Sequence, residues 1–166
     1  MRLLRVPALR QSPSYCGPAC LKAVLEYYGI IATEKAIGLR AGTTREHGTS
    51  PEHLLVAARS YGLEGSWKRT CSVSDLQEWY ERGVPVIVNW FSVEEGHYSV
   101  VVGVDKTSVT LMDPEIGATR TFTRADFKRV WFDFTGSFIR KNSDMHVRWM
   151  LPLFIKNIRP IVGRKG

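Results

Sequence analysis

Gln11-Ser12-Pro13-Ser14-Tyr15-Cys16-Gly17-Pro18-Ala19-Cys20 is the stretch on which the reading of this 166-residue chain turns. A turn-rich loop ends at Cys16. An amphipathic run follows, with Leu21, Val24, Leu25 and Tyr28 at helical spacing and Gly29 at the position that closes a helix. Pro18 suits the first helical position, where its missing N–H is no loss, so Cys16 is expected at or just before the helix start. Unsatisfied N–H groups and the positive end of the helix dipole there favour a negative sulfur over a neutral one. Gly17 lets a substrate backbone come close, and the same N–H groups suit an oxyanion. Gln11, in the loop, offers a side-chain amide as a second oxyanion donor. Cys20, one turn further on, is expected in the core.

Working outward, the first half stays helical. Thr33 caps a short helix to near Arg40, and Thr49-Ser50-Pro51-Glu52 forms a capping box for a helix running to Tyr61. Ser74-Asp75-Leu76-Gln77 starts another, to about Arg82. The second half changes period. Residues 84–91, 97–104, 108–112 and 119–122 are rich in β-branched and aromatic side chains and are separated by turn residues. Thr123 caps a short helix through Arg129, and further strands are expected near 136–140 and 146–150. Helices first and an antiparallel sheet second is an α+β pattern.

A nucleophilic cysteine needs a base, and the base needs an orienting group. His97 opens the most strand-like stretch, and Met112-Asp113-Pro114 closes the return strand. If Val104 pairs with Ser108, His97 falls opposite Glu115 and becomes a diagonal neighbour of Asp113 on the same face. Asp113 then holds one ring nitrogen and leaves the other for Cys16. A one-residue change of register would separate them. His47, His53 and His146 are expected at the surface.

Composition narrows the choices. The chain is 44% apolar and 23% charged, which fits one globular domain. No apolar run approaches the roughly 20 residues a membrane-spanning helix needs. The first residues lack a signal-peptide pattern, and three cysteines without a C-x-x-C pair suit free thiols in a cytoplasmic setting rather than disulfides or zinc. No cofactor or metal is expected. Of the net charge of +7, residues 140–166 carry +6 and the rest +1. A nearly neutral body without a recognisable binding motif argues against specific nucleic-acid binding. The basic end holds the apolar stretch 147–155. It is expected to be a last strand with a solvated tail, the alternative being a segment that meets a membrane surface or a transporter partner.

Taken together, the segment from Gln11 to Cys20, the run Gly96-His97-Tyr98-Ser99-Val100-Val101-Val102-Gly103-Val104 and Met112-Asp113-Pro114 resemble the bacteriocin-processing cysteine peptidases that cleave double-glycine leaders. The resemblance implies a papain-like fold, with the cysteine on the first long helix and the histidine and aspartate on the sheet. It implies Cys16 as nucleophile, His97 as general base and acid, Asp113 as orienting carboxylate and Gln11 as oxyanion donor. It spans roughly residues 3–140, so residues 1–140 are expected to form the peptidase-like domain and 141–166 a basic C-terminal extension. The expected activity is hydrolysis of a peptide or protein substrate, a leader-type peptide being one candidate, through a thioester. The alternatives are a non-catalytic peptide-docking module on the same fold and a thiol transpeptidase or amidase. Trp90, Phe91 and Tyr98 are expected to line the cleft or fill the sheet core, and residues 42–49 to form a cleft wall or a plain connector.

Overall fold

Caps set the start of most helices. The computed structural model describes residues 1–92, 95–134 and 138–156. Helix α1 spans Cys16–Tyr27 and turns off at Gly29, whose φ of 76° is in the left-handed region that glycine enters without strain. Helix α2 (Glu34–Arg40) begins after Thr33, whose hydroxyl accepts from the Ala36 N–H. Helix α3 (Pro51–Ser60) is capped by Ser50, not Thr49. The Thr49 hydroxyl instead pairs with that of Thr43 at 2.6 Å. Helix α4 (Val73–Glu81) starts two residues earlier than Ser74 suggests, because Ser72 and Asp75 cap each other's backbone N–H. Helix α5 (Arg124–Val130) begins after Thr123.

The strands are β1 (Leu63–Gly65), β2 (Val86–Phe91), β3 (Gly96–Val104), β4 (Ser108–Asp113), β5 (Ala118–Thr123), β6 (Phe132–Phe134), β7 (Met145–Val147) and β8 (Met150–Ile155). Six form an antiparallel sheet in the order β1-β8-β2-β3-β4-β5, and β6 pairs with β7 beside it. Alternation along the strands gives the sheet two apolar faces. Ile87, Val100, Val102, Leu151 and Leu153 pack with α1, α2 and α3. Val86, Val88, Val101 and Leu111 pack with α4 and α5 through Leu76, Phe127 and Trp131. Each fully buried leucine of these cores stabilises the fold by about 1.5–3 kcal/mol.

Two expectations need correction. The hairpin at 97–113 does not pair Val104 with Ser108. Val104 faces Val109, and Val102 is an extra residue between the pairs Val101–Leu111 and Gly103–Thr110. Beyond this bulge Val100 faces Met112, which is the register that aligns position 97 with 115. The turn is therefore offset by one residue while the far end keeps the expected phase. The strand expected near 136–140 is not found: residues 135–137 lie outside the described residues, and 138–140 are not in a strand. The apolar stretch 147–155 is mostly interior. Trp149, Met150, Leu151 and Leu153 are buried, and β8 sits between β1 and β2 as the last strand of the sheet.

Candidate active site

Cys16 is the first residue of α1 and is half-buried. The residue before it, Tyr15, supplies no side-chain cap, so the N–H groups of the first turn are left for another acceptor. The ring of Tyr15 lies where a side chain on Gly38 would stand, which ties the start of α1 to α2. Gly17 is also closely packed: a Cβ there would meet the Thr49 side chain at 3.1 Å. Thr49 also accepts, through its carbonyl, the hydroxyl of Tyr98 at 3.1 Å. The loop 42–49 thus abuts the cysteine end of α1, and Tyr98 belongs to the core packed against that helix.

The Gln11 loop is fixed at two points. The Gln11 N–H donates to the Pro114 carbonyl at 2.8 Å, which brings the loop beside the residue following Asp113. The Ser12 N–H and hydroxyl donate to the two carboxylate oxygens of Glu34 at 3.0 and 2.6 Å. Gln11 Oε1 is buried without a hydrogen-bond partner among the described residues.

His97 and Asp113 meet as the far-end register requires. His97 Nε2 lies 2.7 Å from Asp113 Oδ1, with both side chains buried. Nε2 is taken, so Nδ1 is the ring atom left for sulfur. Burial by itself disfavours the imidazolium. The hydrogen bonds to Asp113 and to Cys16, and the negative charge of both, outweigh burial and raise the His97 pKa to about 9. Burial likewise pushes the Asp113 carboxyl up. The bond and charge of His97, the Glu115 N–H and the Arg120 guanidinium overcome it and hold the carboxyl below its usual range. The other thiols differ. Burial raises the pKa of Cys20 well above its ordinary value, and burial is also the main cause of the rise at Cys71.

Sequence reasoning missed the outer partners. Arg120 Nε donates to Asp113 Oδ2 at 2.8 Å, and its guanidinium lies 5.7 Å from the centre of the Trp90 ring. Trp90 in turn packs edge-on against His97, with ring centres 5.8 Å apart. The available signal was Arg120 within the alternating strand that follows Asp113. His97, Asp113 and Glu115 together have the donor types of a cation site. Arg120 lies against both carboxylates, however, so the cluster is already neutralised from within. His47 and His53 are exposed as expected. His146 is not: β7 pairs with β6 and buries it opposite Asp133.

A family model described as the Peptidase C39 family matches residues 6–142. The chain belongs to this family. An uncharacterized protein of Methanothermobacter thermautotrophicus is 38% identical over 128 residues, which is 76% of this chain and 82% of that protein. Among solved structures, a double glycine motif protease from an AMS/PCAT transporter, in complex with its leader peptide, superposes with a TM-score of 0.69 at 24% identity, covering 91% of this chain and 92% of that one. The peptidase domain of Streptococcus ComA, a bi-functional ABC transporter, gives 0.70 at 20%, covering 92% and 100%. A putative C39-like peptidase from Bacillus anthracis gives 0.67 at 16%, covering 92% and 98%. At these identities the structural likenesses establish the fold: this C39 chain has the papain-like architecture that its motifs resemble. Among the described residues no helix is long and apolar enough to cross a membrane.

Proposed function

We propose that this C39 chain is a cysteine peptidase in which Cys16, His97, Asp113 and Gln11 act together on a peptide of leader type. The observation that carries the reading is the 2.7 Å hydrogen bond between His97 Nε2 and buried Asp113 Oδ1, which leaves the other ring nitrogen for Cys16; the His97 pKa is raised to about 9 although burial alone would lower it. In this mechanism the Cys16 sulfur attacks the scissile carbonyl carbon and a C–S bond forms. The Cys16 N–H and the Gln11 amide take the charge that gathers on the carbonyl oxygen. His97 gives its proton to the leaving amine as the C–N bond breaks, leaving a thioester on Cys16. Water then attacks that thioester, His97 accepts the water's proton, the C–S bond breaks and the acid product departs. Asp113 keeps the ring oriented and stabilises its cation.

The test has two stages. Limiting alkylation across pH, followed by peptide mapping, is expected to modify Cys16 well below pH 8 while Cys20 and Cys71 stay unmodified, and His97→Ala is expected to slow it. Incubation with a double-glycine leader peptide is then expected to give two fragments by mass spectrometry, and none with Cys16→Ala. Equal labelling of all three thiols, or labelling of Cys16 only at alkaline pH, removes the peptidase reading.

A further inference from the structure

Beside the reacting pair lies a second group of polar side chains that the mechanism above does not use. Asn89 on β2 points to the face that packs against α1, as does its cross-strand partner Tyr98. Strand β6 lies against β2 and β3, and its Asp133 reaches Asn89: Asp133 Oδ2 accepts from Asn89 Nδ2 at 2.7 Å. Asp133 Oδ1 accepts from the Phe134 N–H and rests on Gly96, the residue before His97, where any side chain would collide with it. Across the small hairpin, His146 is the direct partner of Asp133. Both Asp133 and Cys16 bear electrostatically on Tyr98, whose ring also lies 3.5 Å from where a Cβ of Gly17 would stand. This cluster therefore lies against Gly96 and Tyr98, the neighbours in sequence and space of His97 and Gly17.

Its hydrogen bonding is incomplete. Asn89 is 4% exposed and its Oδ1 has no partner among the described residues. His146 is 8% exposed and its Nδ1 has none. The Asn89 amide is oriented by its donation to the carboxylate, so Oδ1 is an empty acceptor. Its charge is unbalanced as well. Arginine or lysine pairs with Glu26, Asp113, Glu115 and Asp126, but among the described residues none pairs with Asp133. Burial pushes the Asp133 carboxyl up for that reason, and burial together with Arg69 lowers the His146 pKa against the opposing pull of Asp133 and Glu52. The two carboxylates flanking His97 thus differ: Asp113 has its own cation and Asp133 does not. A buried carboxylate beside two unfilled acceptors is completed by a cation carrying several N–H donors.

We propose that Asn89, Asp133 and His146 form a subsite that takes the cationic side chain, lysine or arginine, of the substrate residue that follows the scissile bond, the side on which a double-glycine leader leaves a side chain free. The inference rests on the peptidase reading and adds a substrate preference to it. A lysine ammonium has three N–H donors, and Asp133, Asn89 Oδ1 and His146 Nδ1 in its Nε2–H tautomer supply three acceptors.

The experiment compares two iodoacetamides on the whole chain, one with a 4-aminobutyl tail and one with a neutral pentyl tail, and reads Cys16 and Cys71 modification by peptide mapping. The expected result is an aminobutyl-over-pentyl rate ratio of about tenfold at Cys16, as for hydrogen bonds to a charged group, and of about one at Cys71. Asp133→Asn is expected to bring the Cys16 ratio near one. If that variant does not fold, the wild-type ratio at 0.5 M NaCl decides, since a shielded pair survives salt and general surface attraction does not. A wild-type ratio near one, with Cys16 still faster than Cys71, overturns the subsite and leaves the peptidase reading standing. A ratio that persists in Asp133→Asn, or collapses in salt, also overturns the subsite. Cys16 reacting no faster than Cys71 overturns both.

Discussion

Replacing Arg120 with methionine isolates the support beneath the Asp113 carboxylate. Asp113 is fully buried; its Oδ1 accepts from His97 and from the Glu115 N–H, and its Oδ2 accepts from Arg120 Nε at 2.8 Å. Methionine preserves most of the apolar stem and removes that donor and its charge. A hydrogen bond to a charged group contributes about 1.5–3 kcal/mol, and the lower half of that range applies because a third of the Arg120 side chain is exposed to screening solvent. Loss of the guanidinium from the Trp90 ring adds about 0.5 kcal/mol. The sum is about 2–2.75 kcal/mol at pH 7, or about 4–11 °C in Tm for a chain of this size. Urea unfolding with an unchanged denaturant slope is the assay. The pH dependence has a definite sign. Asp113 is held below the usual carboxylate range, so its contribution is present above that range and lost as pH falls through the lowered value. The gap between wild type and Arg120→Met is therefore expected to close on acidification, and Arg120→Lys to recover part of it at pH 7. A loss under 0.5 kcal/mol at pH 7, or a gap that is the same at pH 3 and pH 7, refutes the view that Arg120 supports a charged Asp113.

Three further outcomes follow from the same geometry. Gln11→Ala is expected to lower kcat on a cleavable peptide about 10²–10³-fold with little change in KM, measured by steady-state kinetics; an unchanged kcat would take the oxyanion role from Gln11. His97 is raised from 6.5 to about 9, so its stabilisation is complete below about pH 6.5 and is lost as pH rises through 9. Unfolding free energy is accordingly expected to fall across that window in wild type and less so in His97→Ala, and a wild-type profile that is flat from pH 6 to 9 contradicts it. Leu151, fully buried on β8, is expected to cost about 2–5 kcal/mol when cut to alanine, whereas Ile31→Ala, at an 83% exposed site, stays within about 0.5 kcal/mol by urea melts.

The parts of the fold legible in the sequence are those written locally. Thr33 and Thr123 cap helices where expected, Gly29 ends α1, and Cys16 opens it because Pro18 accepts only an early helical position. The pairing of His97 with Asp113 follows from period-two alternation, provided the register at the open end of the hairpin is right. The bulge at Val102 was not legible, because Val100, Val101 and Val102 are the same residue and nothing in their order says which is extra. His146 was placed at the surface from the charge of its neighbours, yet the three residues of β7 bury it against β6. Arg120 is marked only by its place in the alternating strand after Asp113, and Asp133 and Asn89 carry no local sign of their roles, since they are 44 residues apart in sequence.

The seat of β8 between β1 and β2 has a consequence for biosynthesis. Among the described strands translation delivers this one last, and until it arrives the facing edges of β1 and β2 are open to the wrong neighbours. The nascent chain can wind α1 early, but the wall opposite that helix lacks Leu151 and Leu153 until the ribosome has passed them. The sheet that carries His97 and Asp113 is thus closed only by residues made well after both of them.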